Sequence, residues 1–365
     1  MSQYLVSARK YRPKEFDEVV GQEAIAQTLE NAIKNDHLAQ ALLFCGPRGV
    51  GKTTCARILA RKINEAGADQ TLDEDFAFNV FELDAASNNS VDDIRNLIDQ
   101  VRFPPQTGKY KVYIIDEVHM LTQNAFNAFL KTLEEPPAHA IFILATTEKH
   151  KIIPTILSRC QIYDFKRISI ADMKSHLAQI AQKESVEYED DALHLIAQKA
   201  DGALRDALSI FDRIATFGDG KLSLENVSSV LNVLDYDVYF NTTDLALKQD
   251  IPGLLVQLND VVQKGFDPHL YIVGLASHFR DLLVSKVPET VGLLDVGDNT
   301  KNRYLSQAKE CSVEFLFQAI EICNTADINF KSSKNQRLTV EIALMQLASI
   351  QNQETAGAKK KSLAS

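Results

Sequence analysis

The run Ala41-Leu42-Leu43-Phe44-Cys45-Gly46-Pro47-Arg48-Gly49-Val50-Gly51-Lys52-Thr53-Thr54 constrains this chain more than any other. Its apolar start reads as a buried strand, the glycines as a loop, and Lys52 as the opening of a helix. Gly46, Gly49 and Gly51 allow positive φ and let backbone N–H groups close around an anion. A helix starting at Lys52 aims the positive end of its dipole at the same point. The spacing is that of G-x-x-x-x-G-K-[ST]. In this pattern the loop Gly46, Pro47, Arg48, Gly49, Val50 and Gly51 cradles phosphates, Lys52 reaches the β- and γ-phosphates, and the Thr53 hydroxyl, with Thr54 after it, sits where Mg²⁺ is held.

A second strand end carries the complementary chemistry. Val112-Tyr113-Ile114-Ile115 precedes Asp116-Glu117, so two carboxylates fall at the carboxyl end of a strand, where parallel sheets present their ligands. About 60 residues after a phosphate loop, such a pair reads as a Mg²⁺ ligand, Asp116, and a residue that orients or deprotonates the attacking water, Glu117. His119 lies just beyond. With no second histidine at ligand spacing it reads as packed or hydrogen-bonded rather than metal-binding.

Periodicity extends this into a fold class. Strand patterns at 41–45, 79–84, 112–116 and 140–146 alternate with helical patterns at 16–36, 54–63, 91–101 and 121–135, which predicts a parallel α/β sheet. On the helix at 121–135, Phe126, Phe129, Leu130 and Leu133 read as core. Beyond Ile162-Tyr163-Asp164-Phe165 the strand signals stop, and helices are expected at 170–184, 190–200, 204–217 and 224–231. The expected division is 1–166 for an α/β domain, 167–234 for a small helical lid and 235–352 for an all-α domain, with breaks at Pro252, Gly265 to Pro268 and Pro288. Residues 353–365 are small, polar and basic, the composition of a disordered tail.

Composition narrows the function classes. The chain has 365 residues, is 45% hydrophobic and carries a formal net charge of −10, so affinity for polyanions cannot come from the molecule as a whole. A basic cluster (Arg9, Lys10, Arg12, Lys14) opens the chain, and an acidic stretch runs over 65–84 through Glu65, Asp69, Asp73, Glu74, Asp75, Glu82 and Asp84. No apolar run reaches the roughly 18 residues of a membrane span and no secretory h-region opens the chain, so a cytoplasmic protein is expected. The five cysteines form no C-x-x-C pair, so reduced, mostly buried thiols are expected and no zinc site.

Three further segments carry a resemblance. KVYIIDEVHML at 111–121, NAFLKTLEEPP at 127–137 and LATT at 144–147 resemble the bacterial DNA polymerase III gamma/tau subunit family, AAA+ ATPases of the sliding-clamp loader. The resemblance is strong over residues 4–235. It implies an AAA+ P-loop sheet, a helical lid and a helical collar for oligomerisation, binding ATP with Mg²⁺. It implies that Thr147 is the sensor-1 residue near the γ-phosphate. Arg159, in TILSRC at 155–160, would be an arginine finger for the neighbouring subunit's ATP, and Arg205, in GALRDAL at 202–208, sensor 2. Tyr11 and Arg12, with Val20, match the segment around the adenine.

The implied partners are other clamp-loader subunits including copies of this chain, the sliding clamp and primer-template DNA, with no membrane partner. Two departures matter. Many members carry a four-cysteine zinc module between the phosphate-loop helix and the second strand, and residues 65–78 here contain no cysteine. Asn88 and Ser90 are neutral where the family can place basic residues facing DNA, which leaves Arg95 and Lys131 as candidate DNA contacts. Two rival readings are another AAA+ DNA motor of the branch-migration helicase type and a non-hydrolysing, nucleotide-bound scaffold. Residues 235–352 lack the β-hairpin signal and basic recognition helix that the first requires.

Overall fold

The computed structural model describes residues 5–65, 79–106, 108–231, 233–294 and 296–362. Asp69, Asp73, Glu74 and Asp75 of the acidic stretch, and most of the cysteine-free segment before β2, lie outside them. In chain order the elements are α1 (Ser7–Lys10), α2 (Glu23–Lys34), β1 (Ala41–Cys45), α3 (Lys52–Glu65), β2 (Val80–Asp84), α4 (Val91–Val101), β3 (Lys111–Asp116), α5 (Gln123–Glu134) and β4 (Ala140–Thr146). Then follow α6 (Pro154–Leu157), β5 (Gln161–Asp164), α7 (Ile170–Glu184), β6 (Glu187–Tyr188), α8 (Asp190–Lys199), α9 (Leu204–Phe217), β7 (Lys221–Leu222) and α10 (Leu224–Leu231). The rest is helical: α11 (Tyr236–Leu247), α12 (Ile251–Gln263), α13 (Pro268–Val284), α14 (Asp298–Glu310), α15 (Val313–Phe330) and α16 (Gln336–Ser362). The chain divides into two compact units, Met1–Glu184 with Ile196–Arg213, and Ser185–Leu195 with Ile214–Ser365.

The first unit is built on a parallel sheet in the order β2-β3-β4-β1-β5. Burial grades with position in that order: every residue of β1 and β4 is buried, whereas the edge strands β2 and β5 are mostly half-buried or exposed. Only strands covered on both faces can be apolar throughout. Side-chain alternation divides the core in two. Leu42, Phe44, Ile114 and Ile143 pack with Leu29 of α2 and Cys55 and Leu59 of α3 on one face. Leu43, Tyr113, Phe142 and Leu144 pack with Ile94 and Leu97 of α4 and Phe126 and Phe129 of α5 on the other. Truncating a side chain such as Phe142 to Ala would cost about 3–5 kcal/mol, because the sheet holds both walls of the resulting cavity apart.

Local chemistry sets the helix ends. Ser90 and Asp93 form a capping box that starts α4, and Thr122 Oγ1 accepts from the Ala125 N–H at 3.3 Å, so α5 starts after Thr122 rather than at Leu121. The single helix expected over 16–36 is two elements. A 3₁₀ turn spans Phe16–Glu18, Gly21 stands at φ +72°, and α2 begins only at Glu23. A left-handed residue cannot continue a right-handed helix, so the helical run has to restart after Gly21.

The second unit contains a two-stranded parallel pair, β6 with β7, where no strand was expected. Two-residue strands are too short to show a period. The remainder is a helical core. Tyr271, Ile272, Leu275, His278, Phe279 and Leu282 of α13 are buried, as are Phe315, Leu316, Ala319, Cys323, Ala326 and Phe330 of α15. The expected breaks are present: Pro252 lies in the first turn of α12, Gly265 at φ +88° separates α12 from α13, and Pro288 opens a 3₁₀ turn. Within this core His278 Nδ1 meets Tyr304 Oη at 2.9 Å and Nε2 meets Gln307 Oε1 at 3.2 Å, while Gln307 Nε2 donates to Phe240 O and Asp244 Oδ1. The backbone of α16 continues through Ser362, where a disordered tail was expected from residue 353. Gln, Glu, Ala and Lys in that stretch are good helix formers. Residues 363–365 lie outside the described set.

Candidate active site

The sheet register brings the predicted residues to one edge. Cys45 is level with Thr146 on one side and Asp164 on the other, and Asp84 is level with Asp116, so the carboxyl ends of all five strands finish in one row. The phosphate-loop residues leave β1 at this row, Asp116 and Glu117 end β3, and Thr147 follows β4.

The loop takes the strained path its glycines permit. Gly46 has φ +149°, and a Cβ there would lie 2.5 Å from Phe165 O; Gly49 has φ +75° with Ala203 Cβ 3.0 Å from the same hypothetical atom. Lys52 is 6% exposed, and its Nζ donates to Gly46 O and Pro47 O, both at 2.7 Å. Burial lowers its pKa, and the nearby Glu117 and Asp116 carboxylates oppose that shift.

Thr53 Oγ1 donates to Asp116 Oδ2 at 2.7 Å, joining the start of α3 to the end of β3. Asp116 Oδ1 in turn accepts from the Glu117 N–H at 2.9 Å. A hydroxyl beside a carboxylate is a hard oxygen pair of the kind Mg²⁺ prefers, so these residues fit that ion. Glu117 adopts the left-handed region, φ 48° and ψ 43°, uncommon for any residue but Gly, Asn or Asp. Thr147 holds its carboxylate: the Thr147 N–H at 3.3 Å and Oγ1 at 2.9 Å both donate to Glu117 Oε2. The His119 ring is hydrogen-bonded as its isolation in sequence suggested, with Nδ1 3.0 Å from Thr146 Oγ1 and Nε2 3.3 Å from Glu148 Oε1. Among the described residues, no group of three or more His, Cys, Asp or Glu is placed to hold a metal.

Lys52, Thr53, Asp116 and Glu117 open onto a cavity of about 430 Å³, which Gly46, Pro47 and Thr147 do not line, within the range of small-molecule sites. Tyr11, Arg12, Val20, Arg48 to Thr54, Asp116, Glu117 and Arg205 all line it. Its lining is polar at the glycine loop, Asp116 and Glu117, and apolar at Pro13, Val19, Val20, Ile168, Leu204 and Leu208. Arg12 is pushed below its usual pKa by burial and then by the neighbouring Arg57 and Arg205, so guanidinium groups converge on the cavity. An anion would relieve that repulsion.

The other predicted residues are elsewhere in the unit. Arg159, just past α6, donates to Thr155 O at 2.7 Å, pairs with Glu134 and does not line the cavity. Arg95 on α4 is exposed beside Asp92, and Lys131 is exposed on α5, the helix packed against α4. Asp84, which ends β2 as Asp116 ends β3, lines the cavity and was not singled out from the sequence. The signal, a carboxylate closing a strand, was the one used for Asp116.

Comparison with known proteins agrees along the chain. Residues 21–169 match the family described as DNA polymerase III, delta subunit. Residues 172–220 match DNA polymerase III clamp loader subunit, ATPase lid domain, and 222–363 match DNA polymerase III subunits gamma and tau domain III. DNA polymerase III subunit tau of Bacillus subtilis is 40% identical over 367 residues, covering 97% of this chain and 65% of that protein. The same-named subunit of Escherichia coli is 40% identical over 301 residues, covering 79% of this chain and 47% of that one. The chain thus spans about half to two thirds of the length of these curated relatives. Among solved structures, the Thermotoga maritima RuvB Holliday junction branch migration motor aligns with a TM-score of 0.49 at 20% identity, over 70% of this chain and 86% of that one. With its described parallel sheet, lid and gamma/tau domain III matched in order, this chain belongs to the DNA polymerase III gamma/tau subunit family.

Proposed function

We propose that this chain is an ATP-hydrolysing subunit of a sliding-clamp loader, using ATP binding to hold a clamp open and hydrolysis to release it on primer-template DNA. The observation that carries the reading is the 2.7 Å contact of Thr53 with Asp116 beside buried Lys52. It unites both halves of a phosphate-transfer motif at one cavity. The loop Gly46 to Gly51 and Lys52 would bind the triphosphate, and Thr53 and Asp116 would hold Mg²⁺. When bound, that ion would neutralise phosphate charge. Glu117 would accept the proton of the attacking water as the oxygen bonds to the γ-phosphorus and the bond to ADP breaks. Thr147, within hydrogen-bonding distance of Glu117, would set that carboxylate's position. Arg205 would face the phosphates from the lid, and Tyr11, Arg12 and Val20 would flank the adenine.

Arg159 is assigned to a neighbouring subunit's site. Its separation from its own cavity supports a role in trans, and such a role requires an oligomer in which each site is completed by the next chain. We divide the chain functionally into 1–166, 167–234 and 235–352, the last serving oligomerisation. Arg95 and Lys131 are proposed DNA contacts, the other partners are further loader subunits and the clamp, and the setting is the cytoplasm. Among the described residues no helix is long and apolar enough to cross a membrane. No zinc is proposed.

ATPase assays with and without clamp and primer-template DNA test the reading. Stimulation by both, with clamp co-purifying in ATP but not in ADP, is the expected result. Turnover indifferent to the clamp would favour another DNA motor, and nucleotide binding without turnover a scaffold. Lys52→Ala should lose ATP binding, because a buried charge-assisted contact to the phosphates is removed.

A further inference from the structure

Helix α1 leads directly into the cavity wall, since Ala8, Tyr11 and Arg12 all line it. The polar contacts of α1 and Tyr11 run to two helices of the lid. The Ser7 N–H donates to Asp212 Oδ2 at 2.7 Å and Ser7 Oγ donates to Asp212 Oδ1, a two-point grip on one carboxylate of α9. At the other end, Lys10 Nζ at 2.5 Å and Tyr11 Oη both donate to Glu184 Oε1, on the last residue of α7. Lys10 and Lys183 place their ammonium groups 5.5 and 5.9 Å from the Tyr11 ring centroid. Ser7 is only 6% exposed, so its grip is shielded from water and stronger than a surface contact.

Helix α9 therefore has two tasks. Arg205 and Asp212, two helical turns apart on one face, reach the cavity and α1 respectively. Left alone, Arg12 and Arg205 would push the α1 segment and the lid apart, because both are cations facing one cavity. The carboxylates of Asp212 and Glu184 oppose that separation. The glycine loop and Lys52 would take the phosphates, which leaves the apolar lining side chains Pro13 and Val20, next to Tyr11 and Arg12 in the wall, for the nucleoside.

We infer that Ser7, Asp212 and Glu184 form a clasp that makes the Tyr11 to Pro13 wall part of the lid, and that Asp212 and Glu184 are positioning residues for recognition of the nucleoside rather than the phosphates. The inference rests on the nucleotide reading of the cavity. It goes beyond that reading by dividing affinity between two ligand parts. A lid that closes brings the base-facing wall with it, and a lid released from the wall still carries Arg205 to the phosphates.

Titration calorimetry on the full chain with Mg²⁺ separates the parts, using ATP and inorganic tripolyphosphate as the two probes. Asp212→Ala is expected to weaken ATP about tenfold or more and tripolyphosphate by less than about twofold. Glu184→Gln is expected to shift ATP in the same direction by less, and both variants to narrow the preference for ATP over GTP. Ser7→Ala keeps the backbone half of the grip and guards against misfolding. With an unchanged melting temperature it should reproduce the ATP-selective loss in smaller measure. Equal weakening of both probes, or ATP affinity unchanged in all three variants, would overturn the clasp. A wild-type chain that binds ATP no more tightly than tripolyphosphate would instead remove the nucleotide reading, and the clasp with it.

Discussion

Lys52 in the α/β unit and His278 in the helical unit are both almost wholly buried, yet their surroundings differ in kind. Lys52 is held by two carbonyls of a glycine loop and borders an open cavity. His278 has both ring nitrogens occupied by Tyr304 and Gln307, and Gln307 is itself satisfied by Phe240 and Asp244. A polar group kept for a ligand is held by contacts that a stronger partner can replace. One that specifies packing is closed on every side. The same contrast holds for arginines: Arg12 and Arg205 converge on the cavity, whereas Arg303 lies 4.3 Å from the centroid of the Phe240 ring and pairs with Asp237.

The largest effect that would sharpen this contrast concerns Arg159. Arg159→Ala should leave ATP binding by the isolated chain nearly intact and lower stimulated turnover of the assembled complex by about 10³-fold or more. Complexes mixing Arg159→Ala with Lys52→Ala chains should regain hydrolysis that neither shows alone. If sizing confirms assembly and no activity returns, Arg159 acts within its own subunit. Next, Glu117→Gln should lower turnover by about 10²–10⁴-fold while ATP binding persists. Wild-type turnover would withdraw Glu117 as the base.

In the helical unit the expected effects fall on stability, not on turnover. Burial pushes the His278 pKa down to about 3, with Gln307 opposing and Arg303 adding to the shift. The unfolded chain, with an ordinary histidine pKa near 6.5, binds the proton first, so the contribution is complete above about pH 6.5 and lost as pH falls toward about 3. Between pH 7 and pH 5 the wild type should lose about 2 kcal/mol more than His278→Gln, read from urea midpoints. Matching pH profiles would mean that this histidine is accessible in solution. Gln307→Leu leaves several buried groups without partners and should cost about 1–3 kcal/mol with nucleotide affinity unchanged. The smallest effect belongs to the half-exposed Arg57–Glu82 pair on the α/β unit: Arg57→Gln should cost less than about 1 kcal/mol. A cost as large as that of Gln307→Leu would blur the distinction between the surface of one unit and the interior of the other.

What could be read from the residues follows the same division. The chemistry of the α/β unit lies in contiguous runs at strand ends, so Gly46 to Thr54, Asp116 and Glu117 declare themselves by spacing, and β4 and α4 begin and end where their patterns do. The turn at Gly21 did not, because the helix was read from Ile25, Leu29, Ala32 and Ile33, all of which lie after the left-handed residue. The grip of Ser7 on Asp212 and the network around His278 join residues distant in sequence, and nothing in either neighbourhood marks the partner. Helix α13 shows why: His278 follows Leu275 at the interval of an apolar face and reads as one more core position.

Glu117 stands at φ 48°, a backbone conformation that Asn or Gly adopts with less strain. The position therefore sets selection for heat resistance against selection for the proposed hydrolysis. A library screened only for survival of heating should enrich Asn or Gly at 117, and the most durable clones should be among those unable to turn over ATP. Retaining glutamate there would be the mark of a lineage still under demand for the reaction.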